Sequence, residues 1–186
     1  GSFSDVITIA HELGHGYHGE MLNHETYLNC DYPMPIAETA STFCETIVKN
    51  ALLKKASAEE KKVILENDIS DNAQIIVDIM SRFLFEDKVL ELRKNGSLSA
   101  QELCEIMLDA QIKTYGEGMD KNYMHKYMWV CKPHYYDADY NYYNFPYAFG
   151  LLFAKGLYSK YINDKQGFCS DYDEMLRMTG TSNLIE

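Results

Sequence analysis

The chain has 186 residues, 46% of them hydrophobic and 24% charged, with a formal net charge of −11. That length supports one domain with a real core, and the acidity argues against a nucleic-acid partner, because neutralising phosphates needs clustered Lys and Arg. No apolar run is long enough to span a bilayer, so no membrane partner is expected. The acidic balance suits simple solubility, or a cationic ligand such as a divalent metal or a basic peptide. Cys30, Cys44, Cys104, Cys131 and Cys169 are scattered without a C-x-x-C pair. That speaks against a disulfide framework or a thiolate metal site and for a reducing compartment, the cytoplasm.

Taken in chain order, almost everything reads as helix. Ser4 is a good N-cap, and Val6, Ile9, Ala10, Leu13 and Tyr17 follow helical spacing, predicting a helix over about 5–22. After a connection over 23–35, a second helix is expected from Pro35 to about Lys55. Ser57 and Glu60 form a capping-box pattern that opens a charged helix, with a break expected at 67–70. The next helix has Ile75, Ile76, Ile79, Phe83, Leu84, Val89 and Leu92 as its core stripe and ends at Asn95-Gly96. Ser99 and Glu102 cap another, running to about Tyr115, and a short helix is expected within 120–129. The Tyr-rich stretch 134–144 reads as a loop, followed by helices over 145–161 and 170–178. No segment shows sustained period-two alternation, so the fold class is all-α, with 1–186 as a single helical domain.

The chemistry is concentrated in His11-Glu12-Leu13-Gly14-His15. Residues four apart share a helix face, so His11 and His15 can aim two imidazoles at one ion. Glu12 then sits beside the ion as a general base for water. Gly14 is a poor helix former, which implies close packing or needed space there. Such a site needs a third protein ligand. A third His six residues after His15 is excluded, because position 21 is Met. A second helix offers Glu38 and Glu45, seven apart and on one face. Either could ligate while the other orients a ligating histidine from behind. His18 could support the metal residues or lie on the helix surface. His24 and His125 read as surface residues, and Cys44 as a small buried hydrophobe.

Residues 11–18 (HELGHGYH), 37–45 (AETASTFCE), 132–136 (KPHYY) and 143–150 (YNFPYAFG) together resemble the oligoendopeptidase F group of the thimet oligopeptidase family, in the family's order. The resemblance implies an intracellular, mainly helical endopeptidase with one Zn²⁺ per chain that cuts short peptides. It makes Glu38 the third zinc ligand beside His11 and His15, places Glu45 behind a ligand, and leaves Glu12 as the base. It assigns substrate binding and oxyanion stabilisation to His134 and to tyrosines of the late loop. Tyr143 is the favoured donor, with Tyr136 and Tyr140 as substrate contacts. Phe145 stands where relatives often carry Tyr. Family members are several times longer, with an N-terminal part that forms the opposite wall of a substrate channel. The zinc helix begins almost at residue 1 here. The chain is therefore expected to be a C-terminal catalytic fragment, its partners being short peptides and the missing N-terminal part of the same protein. The alternative is a module that binds zinc without catalysis.

Overall fold

A computed structural model describes residues 2–182. Among them there are helices and turns and no strand, so the chain is all-α. Among the described residues, no helix is long and apolar enough to cross a membrane. The chain divides into two compact units, residues 1–68 with 146–186, and residues 69–145.

The first unit holds α1 (Phe3–Leu22), α2 (Met34–Ala37), α3 (Thr39–Lys55), most of α4 (Ala58–Ala73), α7 (Phe145–Asn163) and α8 (Lys165–Met178). Helix α1 starts earlier than expected. Ser2, not Ser4, is its N-cap, in a capping box with Asp5. Ser2 Oγ accepts from Asp5 N–H at 3.3 Å, and Asp5 accepts from Ser2 N–H at 2.6 Å. Of the expected apolar stripe of α1, only Ala10 is buried; Val6, Ile9, Leu13 and Tyr17 are exposed. The buried face is Ala10, Gly14, His18 and Leu22. Small side chains explain the reversal. A Cβ on Gly14 would lie 2.5 Å from Ser41 Cα and 2.6 Å from the Ala40 carbonyl oxygen, so α1 and α3 touch at backbone distance. Ala40, Phe43, Ala154, Phe168, Tyr172 and Leu176 form the apolar core of this unit.

The helix expected from Pro35 to Lys55 is interrupted at Glu38, whose φ of −91° and ψ of 1° leave the helical region. The break expected at 67–70 does not occur. Asp68 accepts from the buried Lys49 ammonium at 2.8 Å, and that tie outweighs the weak helix preference of Asn67, Asp68 and Ser70. Helix α8 begins at Lys165 and not at 170, capped by Asp164.

In the second unit, α4 runs through a π segment (Gln74–Asp78) into α5 (Ile79–Arg93), and α6 (Ala100–Tyr115) carries the expected Ser99–Glu102 capping box. Phe85, Met107 and Ala110 are its buried core, flanked by Leu84, Val89, Trp129 and Tyr135. Ile76 and Phe83, expected inside, are exposed. Phe83 instead packs against the Tyr142 ring, centroids 5.1 Å apart. Residues 120–129 form no α-helix; two 3₁₀ turns stand there, Lys121–Tyr123 and Met128–Cys131.

Candidate active site

Helix α1 carries His11, Glu12 and His15, and the α2–α3 junction carries Glu38. Because α1 and α3 meet at backbone distance, the one-turn spacing of the two histidines faces the junction. His11 Nε2 lies 3.1 Å from His15 Nε2 and 3.3 Å from Glu38 Oε2, and His15 Nε2 lies 3.6 Å from the same oxygen. These are the three residues among those described that could hold a metal ion together. A tetrahedral cation with bonds of ~2.0–2.1 Å keeps its ligand atoms ~3.3–3.4 Å apart. The observed spacings bracket that value, so one oxygen and two imidazole nitrogens fit a single divalent ion.

Further groups hold these three side chains. Ser41 Oγ donates to the Glu38 carbonyl at 3.0 Å and to Glu38 Oε2 at 3.1 Å, which stabilises the helix interruption and aims the carboxylate. On the other side of Glu38, α7 presents Gly150. A Cβ there would stand 3.0 Å from Glu38 Cβ and 3.2 Å from its carbonyl carbon. His11 Nδ1 is 2.7 Å from Glu45 Oε1. That contact leaves Nε2 for the cluster and fixes the ring plane. Glu45 Oε2 in turn faces Lys49 Nζ at 3.4 Å. Burial works against the Lys49 charge, but Asp68 and Glu45 outweigh it and hold the ammonium above its ordinary range.

The carboxylates dominate the local electrostatics. Glu38 and then Glu45 push the His11 imidazole up to about 10. The Glu38 carboxyl is held below its usual range, chiefly by His11. Glu12 is exposed and makes no hydrogen bond or ion pair among the described residues, so its carboxylate is open to water. His18 is not on the helix surface but fully buried. Its Nε2 is 2.8 Å from Thr179 Oγ1. That hydroxyl donates to the Leu176 carbonyl at 2.7 Å and so accepts from His18. The ring stacks on Tyr32 at 4.1 Å. Burial brings its pKa down to about 4. His24 and His125 are exposed, and Cys44 is half-buried.

His134, Tyr136, Tyr140 and Tyr143 belong to the second unit. The His134 and Tyr143 rings lie 5.7 Å apart, and Tyr140 meets Tyr143 edge to face at 5.4 Å. Tyr136 is exposed and lines a cleft of about 310 Å³ with Trp129 and Arg93. The loop is tied to α5. Tyr135 OH donates to the Arg82 carbonyl at 3.2 Å, and Tyr142 OH to Asp87 at 2.9 Å. Tyr142 takes a left-handed φ of 57°, uncommon for a residue with a side chain. Its N–H donates to the buried Glu86 carboxylate at 2.8 Å, which holds that conformation. Sequence reasoning missed Ser41, Lys49, Glu86 and Gly150. Ser41 and Lys49 could have been found from their spacing, three after Glu38 and four after Glu45. Nothing local marks Glu86 or Gly150.

A family model described as peptidase family M3 matches residues 2–186. The chromosomal oligoendopeptidase F of Lactococcus lactis subsp. cremoris is 31% identical over 175 residues, covering 90% of this chain and 29% of that protein. Oligopeptidase PepF of Bacillus subtilis (strain 168) is 27% identical over 186 residues, or 98% of this chain and 27% of that one. The crystal structure of oligoendopeptidase-F from Enterococcus faecium shares the fold, with a TM-score of 0.75 at 23% identity over 94% of this chain and 31% of that chain. The chain thus spans less than a third of the length of these relatives. A match that starts at residue 2 and runs to residue 186 leaves almost none of the sequence outside it: the chain belongs to peptidase family M3.

Proposed function

We propose that the chain is the catalytic part of a zinc endopeptidase that hydrolyses short peptides in the cytoplasm, with 1–186 acting as one catalytic domain. The gathering of His11, His15 and Glu38 at tetrahedral spacing carries this reading. Two imidazoles and one carboxylate are a donor set suited to zinc in hydrolysis. When bound, zinc supplies Lewis acidity, polarising the scissile carbonyl and making a neighbouring water more acidic. Glu12 accepts the proton of the attacking water and delivers it to the leaving amine. Glu45 accepts from His11 Nδ1–H, so that Nε2 keeps its lone pair for the ion. For His134 and Tyr143 as donors to the oxyanion, and for Tyr136 and Tyr140 as substrate contacts, the resemblance is the support. The remaining part of the protein is the expected partner in holding substrate.

The test measures zinc content and cleavage of a quenched fluorescent peptide, in this chain and in a form of the relatives' full length. One zinc per chain and cleavage that Glu12→Gln lowers by roughly 10²–10⁴, with zinc retained, supports the reading. Full activity in Glu12→Gln removes the base assignment. Zinc without cleavage in either form leaves a binding module, and no zinc in either form overturns the site.

A further inference from the structure

The groups around His134 decide which of its ring nitrogens carries the proton. A guanidinium can only donate. Arg82 Nη1 lies 3.3 Å from Asn144 Oδ1, so the amide oxygen of Asn144 must face the arginine. Its NH₂ group then faces His134, 2.8 Å from Nε2. An amide NH₂ also only donates, so Nε2 has to offer its lone pair. A neutral imidazole has one N–H, and here it must be on Nδ1. A second proton on Nε2 would set two donors against each other. The far end of the chain of bonds is equally fixed. Asp78, the last residue of the π segment, accepts from Arg82 Nη2 and, at 2.8 Å, from Tyr115 OH. Asp78 and Asn144 are both buried. Burial first, then the Arg82 and Lys132 charges, hold His134 below the usual imidazole range, which favours the neutral ring.

We infer that Asp78, Arg82 and Asn144 form a positioning relay that locks His134 as the neutral Nδ1–H tautomer, making Nδ1–H the donor His134 offers to a substrate oxygen. Among the described residues no hydrogen bond engages Nδ1, so the donor is left for a ligand. None of the three acts on substrate; they act through the ring. The tautomer stands on the bond network, whereas its use toward substrate rests on the role proposed for His134.

The experiment reads the ring directly. The chain is labelled with nitrogen-15 histidine, and long-range proton–nitrogen spectra are recorded near neutral pH, with His134→Gln identifying the His134 signals. The wild type is expected to show a protonated-type shift at Nδ1 and an unprotonated-type shift at Nε2. Asn144→Asp turns the donor facing Nε2 into an acceptor and is expected to place a proton on Nε2. A wild-type ring with Nε2–H dominant overturns the relay, as does an Asn144→Asp spectrum identical to wild type. Should Asn144→Asp not fold, the wild-type spectrum decides alone, in either direction. The measurement uses neither substrate nor turnover. A chain with the expected tautomer and no cleavage in any form keeps the relay and removes the peptidase reading.

Discussion

Gly14 and Gly16 sit two apart on α1 and make opposite demands. Around Gly16 an added Cβ meets nothing within 4 Å, whereas at Gly14 it meets α3 at 2.5 Å. Gly16→Ala is expected to stabilise by up to about 1 kcal/mol through helix propensity. Gly14→Ala forces the helices apart, costs roughly 1–3 kcal/mol or more, and weakens metal binding. Urea unfolding of both variants, alongside zinc titration, separates the two effects. Glu45 gives a second contrast. Glu45→Ala removes the acceptor at His11 Nδ1, and zinc affinity is expected to fall about 10–100-fold while the ligand set stays complete. Chelator competition measures that change. An unchanged affinity would mean that the 2.7 Å contact does not orient His11.

Among the elements, the long helices were legible, because capping pairs such as Ser99–Glu102 and long apolar periods are local signals, whereas the short helix expected within 120–129 lacked both and is two 3₁₀ turns. Facing was not. The stripe Val6, Ile9, Ala10, Leu13, Tyr17 reads as a core face, yet of these α1 buries only Ala10, on the face whose small residues let α3 approach. Nor was the interruption at Glu38 legible, since α7 closes against it at Gly150, which is remote in sequence. The continuity of α4 is the clearest override. Asn67 to Ser70 reads as a break, and Asp68 holds it closed by pairing with Lys49. Asp68→Ala leaves the Lys49 ammonium largely buried beside Glu45 alone, so a loss of roughly 1–3 kcal/mol is expected. Amide exchange over 65–73 should rise with it; a destabilisation without local exchange would place the effect elsewhere. That His11, His15 and Glu38 could gather was readable from spacing and resemblance, while Lys49, four after Glu45, stood as one more charge on the helix.

For the whole molecule, acid stability turns on a residue that the sequence left between two roles. His18 is neutral and buried, with a pKa near 4 against an ordinary 6.5. As pH falls below 6.5 the unfolded chain takes up this proton before the folded one does. The His18 contribution is therefore full above that pH and lost on the way down to about 4. At 1.36 kcal/mol per pKa unit the loss is roughly 3 kcal/mol. Unfolding free energies measured across that range should fall with pH, and His18→Gln should flatten this part of the slope. A slope unchanged by that substitution would assign the acid sensitivity to the carboxylates. The atoms that a side chain at position 14 would strike are Ser41 Cα and the Ala40 carbonyl, which are main chain. No substitution on α3 can make room for it. A defect at Gly14 is expected to have no second-site suppressor on α3, so a selection for restored function should return revertants at codon 14.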